Sequence, residues 1–357
     1  MNYRIASLLA SEAATTAATK TIDVNVNKPI SRITIQFKGT NNGSVPTAHP
    51  AKMVSKIELV DGSNVLFSLS GIQAQALNYY ETGRLPTTIM DYRNDVMAIA
   101  TFELNFGRWM WDEILAFDPK KFQNPQLKIT HDKALGGSAP DAGLLSVFAH
   151  VFDGKAATPT GFLMSKEQYS YTLVASAKEA IDLAVDMPYR SLMLQSLTGG
   201  KQPWEQYNQI KLTEDNDQVV IINDEKTSDL IKLLNDYPRI NELIFALDLD
   251  TAPTHYCTPS YDTGVVGLGE ATFNGSLQSV QSYGGSFVPT GDVDEHVQFA
   301  VQGMCPHGSV LIPFGKPGEI ADWYDVSKVG SLRAIITAGS GASGNAALVT
   351  QQLKLYK

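Results

Sequence analysis

Residues 22–37 of this 357-residue chain read IDVNVNKPISRITIQF, and residues 181–194 read IDLAVDMPYRSLML. A shift of 159 positions superimposes identical or similar residues: Ile22 on Ile181, Asp23 on Asp182, Val26 on Val185, Pro29 on Pro188 and Ile33 on Leu192. Alternating apolar and polar residues indicate a half-buried strand. Proline lacks the N–H that a strand ladder needs, so it separates two strands. Each copy is therefore predicted to be a strand, a proline corner and a second strand, and the repeat indicates a duplicated module.

The repeat continues beyond this stretch with small drifts in spacing. Residues 57–59 and 65–67 match residues 210–212 and 219–221, and each pair of predicted strands flanks a turn. A helix is predicted next in both copies, over 71–81 and 227–237. The second copy then carries about 50 additional residues, an insertion at about 239–300 that is rich in Gly, Ser, Thr and Asn. Long insertions between strands lie on the surface and often carry contacts, so we expect a long loop.

The pattern of elements predicts an all-β protein. Each copy has seven or eight short predicted strands, one short helix in the same place, and turns marked by Gly, Pro and Asn, which is typical of sandwiches and jelly rolls. We therefore predict an all-β chain of two tandem sandwiches or jelly rolls, the second with the loop insertion. The predicted divisions are an N-terminal arm (1–20), a first roll (21–153), a linker (154–168) and a second roll (169–357).

Composition excludes several classes of protein. The net charge is −9, the isoelectric point is near 5.2 and no basic run occurs, so direct nucleic-acid binding is not expected. Two cysteines do not make a disulfide scaffold and favour synthesis in a reducing cytoplasm. No apolar run is long enough to span a membrane. The apolar run at 5–10 is too short for a signal peptide, which leaves an unstructured terminus or an arm that docks on a neighbour or a lipid surface.

Two stretches carry a resemblance to a known family. Residues 102–112, FELNFGRWMWD, and residues 117–127, FDPKKFQNPQL, resemble the first-domain stretch of double jelly-roll major capsid proteins. These proteins build the shells of tailless icosahedral viruses, which often contain an internal membrane. The resemblance carries over no functional residue.

The resemblance implies two tandem eight-stranded jelly-roll β-sandwiches, each with a short helix, and a structural role. It implies a homotrimer that forms a pseudo-hexagonal block, and as partners neighbouring trimers, penton or minor capsid proteins, and an internal membrane reached through the N-terminal arm. It also implies location in the virion after synthesis in the host cytoplasm. Three copies of a two-module chain present six similar modules around a threefold axis, and the 239–300 loop is then expected to project outward. Four tryptophans are candidates for subunit contacts or for simple core packing: Trp109, Trp111, Trp204 and Trp323.

The sequence offers few groups that suggest chemistry. We expect no cofactor and no enzymatic activity, since neither a phosphate-binding glycine motif nor a hydrolase motif occurs. His255 and Cys257, with Cys305 and His307, have side chains on one face of a strand if both segments are extended. They could form a zinc site, a disulfide between Cys257 and Cys305, or no site at all. The acidic runs 248–250 and 292–296 are candidate Ca²⁺ sites or solvated loops.

Other classes of function remain open at this level. The main alternative is a secreted carbohydrate-active twin jelly roll, either a glycan amidase or a lectin, for which a signal peptide and disulfides are expected. A weaker alternative is a phage fibre or spike module, which would show fibrous repeats.

Overall fold

The computed structural model describes residues 1–233, 236–248, 253–269, 284–289 and 295–356. Most of these residues lie in β-strands, which form one eight-stranded sheet, three four-stranded sheets and one two-stranded sheet. Among the residues described, no helix combines the length and apolar character needed to cross a membrane.

The first jelly roll consists of two four-stranded layers. Its elements are β1 (Tyr3–Ala13), β2 (Ala18–Asp23), β3 (Ile30–Thr40), β4 (Val54–Asp61), β5 (Asn64–Leu69), α1 (Gly71–Thr82), a two-residue strand β6 (Met90–Asp91), β7 (Met97–Asn105), β8 (Pro125–His131) and β9 (Ala142–Phe152). One layer has the order β1-β9-β3-β7 and the other has the order β2-β8-β4-β5. The apolar core lies between these layers.

The second jelly roll repeats this arrangement. Its elements, with those of the insertion, are β10 (Gly161–Thr172), β11 (Lys178–Leu183), β12 (Tyr189–Gln195), α2 (Pro203–Gln206), β13 (Tyr207–Glu214), β14 (Val219–Lys226), α3 (Thr227–Leu233), β15 (Ile240–Asp248), β16 (His255–Tyr256), β17 (Pro259–Gly269), β18 (Ser286–Phe287), β19 (Glu295–Pro306), β20 (Ser309–Pro313), β21 (Leu332–Ala338) and β22 (Asn345–Leu355). Its layers have the orders β10-β22-β12-β20 and β11-β21-β13-β14. Strand for strand, these match the first roll, so the predicted duplication is confirmed.

The proline corners switch the chain between layers. β2 and β3 flank the first corner and belong to different sheets, as do β11 and β12 in the second copy. Along β3 the alternation has the predicted result: Ile33, Ile35 and Phe37 are fully buried, whereas Thr34 and Gln36 between them are half-buried. Because side chains of a strand point alternately to its two sides, the apolar set faces the core.

Helix α1 forms where the sequence predicts it. The Ser70 side chain accepts a hydrogen bond from the Gln73 N–H (3.3 Å), and the Gln73 side chain accepts one from the Ser70 N–H (2.8 Å). This capping box satisfies two N–H groups that a helix start leaves unpaired. Gly83 ends the helix at φ 73°, a left-handed conformation that glycine adopts at low cost. In the second copy, α3 begins at Thr227 as predicted, and its described part ends at Leu233. Residues 234–235 lie outside the described residues, and residues 236–237, which the prediction included, are not helical.

The described part of the insertion is a sheet rather than the expected loop. Strands β17, β19 and β15 pair in that order, and β6 of the first roll adds to β15 in parallel. A small core of its own lies beneath them, including Ile244, Val265, Phe299 and Val301. The composition, rich in Gly, Ser and Thr, predicts a loop, although alternate residues of the strands pack against one another.

Two predicted irregular segments are strands. Residues 3–13 are not a free arm, because β1 pairs antiparallel with β9 and its apolar side chains Ala6, Leu8 and Leu9 pack against the first core. The predicted linker extends only to residue 160, since β10 begins at Gly161. This segment pairs antiparallel with β22, and its apolar residues at 162–164 are buried.

Candidate functional site

The histidine and cysteine pairs do not gather at one place. His255 and Cys257 belong to the core of the insertion, where the His255 ring stacks on Phe287 at 5.4 Å between centroids. Cys305 belongs to the core of the second roll. His307 faces the first roll instead. Both cysteines are free and buried, and within the described ranges no group of three or more ligating side chains could hold a metal.

Most of the two candidate acidic runs, 248–250 and 292–296, lies outside the described residues. Residues 249–250 and 292–294 lie outside the described residues, as does the side chain of residue 248. The tryptophans divide between surface and core. Trp109 is 54% exposed, whereas Trp323 is buried with Leu115 and Leu353, so Trp323 is not a subunit contact. Trp111 and Trp204 are half-buried, the latter against Tyr261.

The two rolls meet at a junction that one continuous sheet crosses. β5 of the first roll pairs in parallel with β10 of the second, so that one sheet runs through both rolls in the order β2-β8-β4-β5-β10-β22-β12-β20. The strands that the second roll contributes to this sheet have an apolar side that faces away from their own core. From that side Met193, Leu311 and Val349 pack into the core of the first roll. The two rolls are therefore joined through both backbone and side chains.

A buried ionic network crosses the same junction. Arg190 on β12 lies 3.8 Å from Glu81 on α1, and both side chains are at least 93% buried. Gln351 links them, accepting a hydrogen bond from Arg190 (2.7 Å) and donating one to Glu81 (2.6 Å). Asn105 donates to the other Glu81 oxygen (2.7 Å) and accepts from Arg32 (2.6 Å). Every charge in this network therefore has hydrogen-bonding partners.

Burial determines the direction of the pKa shifts in this network. It raises the pKa of Glu81 even though Arg190, Asn105 and Gln351 all favour the carboxylate. It likewise lowers the pKa of Arg190 despite the nearby Glu81. Desolvation thus outweighs attraction for both partners, as is typical of buried ion pairs. Such a pair contributes little net stability while it is intact, but losing one partner is costly.

The stretch that carries the family resemblance also lies at the junction. Arg108 donates to Asp112 (2.7 Å) in the first roll and to the carbonyl of Gly318 (3.0 Å) in the second. Although burial favours the neutral acid, hydrogen bonds from Arg108 and from the backbone N–H of Ile114 hold the pKa of Asp112 below its usual value. This carboxylate therefore stays charged and fixes the arginine in a bridging position.

A second buried network joins three parts of the chain. His49 in the first roll lies 3.1 Å from the Thr258 hydroxyl of the insertion, and that hydroxyl donates to Glu242 (2.8 Å). Nδ1 of His49 accepts from a backbone N–H, so Nε2 carries the proton and the bonds run in one direction from His49 to Glu242. The His307 ring lies edge-on to His49 at 4.7 Å and bonds Gln75 (2.9 Å). The network therefore holds the insertion against both rolls.

Stability is expected to decline as the pH falls below about 6.5. Burial, followed by the nearby Lys52, lowers the pKa of His307 from 6.5 to about 3, and burial also holds the pKa of His49 well below 6.5. The unfolded chain therefore binds more protons in that window, and acid favours unfolding. Glu242 opposes this trend, because burial raises the pKa of its carboxyl, so that the folded chain takes up that proton first.

The melting temperature of the wild type and of His307→Asn, measured from about pH 7.5 to pH 4.5, tests this prediction. Asparagine tolerates the left-handed φ of 51° at this position. The variant is expected to start lower and to decline less steeply. Parallel curves for the two proteins would show that His307 does not contribute to the acid sensitivity. Both proteins are compared at one chain concentration.

Sequence reasoning missed the residues of both networks. Arg190, Glu81 and His49 stand alone among ordinary neighbours, and an isolated charge in a predicted strand or helix is normally solvated. The only available signal was that Arg190 follows the proline corner of the repeat. No residue pattern indicates that its partner lies 109 positions earlier in α1.

Comparisons with known proteins agree with this fold. No protein-family model matches the sequence, and no curated protein matches it. Among solved structures, the major capsid protein P2 from bacteriophage PM2 is 10% identical, with a TM-score of 0.58 over 99% of this chain and 98% of that one. PBCV-1 VP54 is 13% identical, with a TM-score of 0.59 over 99% and 94%. A chain of Sulfolobus turreted icosahedral virus is 14% identical, with a TM-score of 0.57 over 100% and 92%. At these identities the likeness shows the fold, and the predicted double jelly roll is confirmed.

Proposed function

We propose that this double jelly-roll chain is the major capsid subunit of a tailless icosahedral virus. The observation that carries the proposal is the junction: two rolls of identical strand order are joined through one continuous sheet and one shared apolar core. A chain built in this way is a block with two similar outer sides, which suits the tiling of a shell. The full-length likeness to the major capsid protein of bacteriophage PM2 supports the same conclusion.

The working unit in this proposal is a homotrimer. Three chains place six rolls around one axis, and the block then has six similar sides for neighbouring trimers while only one gene product is needed. Closed rotational symmetry limits the first step of assembly to a discrete species. Penton or minor capsid proteins are proposed as partners where the lattice of trimers ends. The protein would be located in the virion after synthesis in the host cytoplasm, where two buried, free cysteines are compatible with a reducing environment.

One expected partner contact needs revision. A membrane contact through a free N-terminal arm is not part of the proposal, because residues 3–13 form β1 of the first roll. Direct contact with the genome is not proposed either, given the net charge of −9. What lies beneath the shell is therefore not specified by the N-terminus.

Light scattering over a tenfold dilution tests the trimer. The purified chain of 38.8 kDa is expected to give about 116 kDa, the mass of a closed trimer, at each concentration. Concentrated trimers are then expected to associate into hexagonal arrays or shells visible by electron microscopy. A monomer at every concentration would contradict the proposal and would favour the carbohydrate-active alternative, for which a glycan-binding screen is the next measurement.

A further inference from the structure

The two strand edges that meet between β5 and β10 each have a counterpart in the other roll, and among the described residues those counterpart edges are unpaired. β5 is the outer strand of its four-stranded layer, and β10 is the outer strand of the other kind of layer. Because the rolls have the same strand order, β14 occupies the place of β5 in the second roll, and β1 occupies the place of β10 in the first. Within the described ranges, β14 pairs only with β13, and β1 pairs only with β9.

Burial distinguishes the occupied edge from the free one. Strand pairing places Ile221 of β14 where Leu66 lies on β5, and Val220 where Val65 lies. Leu66 is 0% exposed and Val65 is half-buried, whereas Ile221 and Val220 are 37% and 42% exposed. Val219 beside them is 49% exposed. Three consecutive exposed apolar residues on an unpaired edge are unusual in a monomer, because such an edge pairs readily with another strand. The edge is therefore built for a partner.

The helix next to this edge shows the same difference. α1 packs against the second roll, where the Tyr80 hydroxyl donates to the carbonyl of Ser309 (2.8 Å) and the Gln73 amide donates to Glu167 (2.5 Å). α3 is the counterpart of α1, and its last described residue, Leu233, is 77% exposed. In the first roll, the edge strand β5 and the helix α1 are thus both covered by the second roll. In the second roll, the corresponding strand β14 and helix α3 are both left uncovered.

We infer that β14 of one chain lies parallel to β1 of a second copy of the same chain, in the way that β5 lies parallel to β10 within the chain. This inference rests on the proposed trimer. Each chain offers one β14 edge and one β1 edge, so the contact joins two different surfaces. If the rotation that relates the rolls within a chain is one sixth of a turn and is repeated between chains, three chains close the ring and no edge of either kind remains free. Ile5 on β1, which is 63% exposed, is then close to the neighbour.

The internal contact fixes the expected register on β1. In the second roll, Lys166 lies opposite Ser68 of β5. Lys166 and Leu192 pair with the same residue of β22, the strand that lies between them. Ala6 and Ile33 likewise pair with the same residue of β9, the corresponding strand of the first roll. Ile33 and Leu192 correspond in the sequence repeat, so Ala6 takes the place of Lys166.

The same comparison gives the position on β14. Ser68 lies opposite Glu58 of β4, and Lys211 is the counterpart of Glu58 in the repeat. β14 has an irregular register beside Lys211, where Asn223 and Asp224 lie between two paired positions. Asp224 has a φ of 50°, which a substitution would strain. Asn223 is therefore the residue expected to lie beside Ala6 of the neighbouring chain.

A paired cysteine variant tests this register. Ala6→Cys with Asn223→Cys places thiols on adjacent strands, within the Cα separation of about 4.4–6.8 Å that a disulfide spans. Oxidation by oxygen with copper phenanthroline, in which two thiols lose two electrons and two protons to form one disulfide, is expected to convert most chains into a covalent trimer. The product is read by mass on a non-reducing gel. The native cysteines are both buried and do not compete.

Three variants serve as controls. Ala6→Cys with Val174→Cys should give no trimer band, because Val174 is exposed in the second roll but lies on neither edge. Asn223→Cys alone should stay monomeric on the gel, and a dimer band would instead indicate that two β14 edges pair with each other. Ile221→Lys places a charge on the edge and should reduce the scattering mass of the folded protein from trimer to monomer, whereas Val174→Lys should not.

The outcomes separate the inference from the proposed function. A wild type that never exceeds the monomer mass overturns the capsid trimer itself. A wild-type trimer that survives Ile221→Lys and gives no cross-linked trimer overturns the β14–β1 contact and leaves the capsid proposal standing. A cross-linked trimer, with loss of the trimer in Ile221→Lys, supports both.

Discussion

Arg190→Met is expected to lower the free energy of unfolding by about 3–5 kcal/mol, the usual cost of removing one partner of a buried ion pair. The substitution leaves the Glu81 carboxylate inside the junction with only neutral hydrogen-bond donors next to it. Methionine approximates the volume of the arginine, so the loss arises from the unpaired charge rather than from a cavity. Chemical denaturation at a fixed chain concentration measures the change.

Two further variants identify the cause. Arg333→Met removes an arginine from an ion pair with Asp182 in the same roll (2.7 Å), but that pair is 46% and 73% exposed, so the cost should be below about 1 kcal/mol. Adding Glu81→Gln to Arg190→Met removes the stranded charge and should restore part of the lost stability. If the double variant is no more stable than Arg190→Met, the unpaired carboxylate is not the reason for the loss.

Phe162→Ala is the second substitution with a large expected effect, a loss of about 3–5 kcal/mol. Phe162 lies on β10 of the second roll, yet its fully buried ring packs in the core of the first. Its ring centroid lies 5.6 Å from that of Phe117 and 5.8 Å from that of Tyr356. Truncation therefore leaves a cavity at the point where the two rolls share one core, and thermal or chemical unfolding measures the cost.

Tyr169 offers a matched control on the same strand. It is 41% exposed, and Tyr169→Ala should cost less than about 1 kcal/mol. Phe162→Leu keeps most of the apolar volume and should fall between the two alanine variants. Equal losses for Phe162→Ala and Tyr169→Ala would contradict the position of Phe162 in the shared core.

The local pattern of the sequence predicted much of the architecture. The alternation of Ile33, Ile35 and Phe37 identified a strand and its buried face, and the repeat of Pro29 at Pro188 identified the duplication. Both signals depend only on neighbours in the chain, since side chains of a strand alternate and proline lacks an N–H wherever it stands. The position of α1 and the place of the insertion were predicted for the same reason.

Several features were decided only by the tertiary structure. The sequence does not identify β1 as a strand because its strand partner, β9, lies more than 100 residues away, and it predicts a loop for the insertion because the composition is that of a loop. The residues that join the units, Arg190 with Glu81 and His49 with Thr258, carry no local signal at all. Whether a charge is solvated or buried depends on what packs over it, and that is a property of the assembled sheets.

The sequence alone therefore predicts that the chain contains two copies of one all-β module. Periodicity along the chain is sufficient for that conclusion, because it reflects the geometry of a single strand and its turn. The tertiary structure alone decided how the two copies are joined and which edges are left free. Strand pairing between distant segments follows from the shape and burial of whole layers, so the pairing of β5 with β10, and the exposed edge of β14, could be found only in the folded chain.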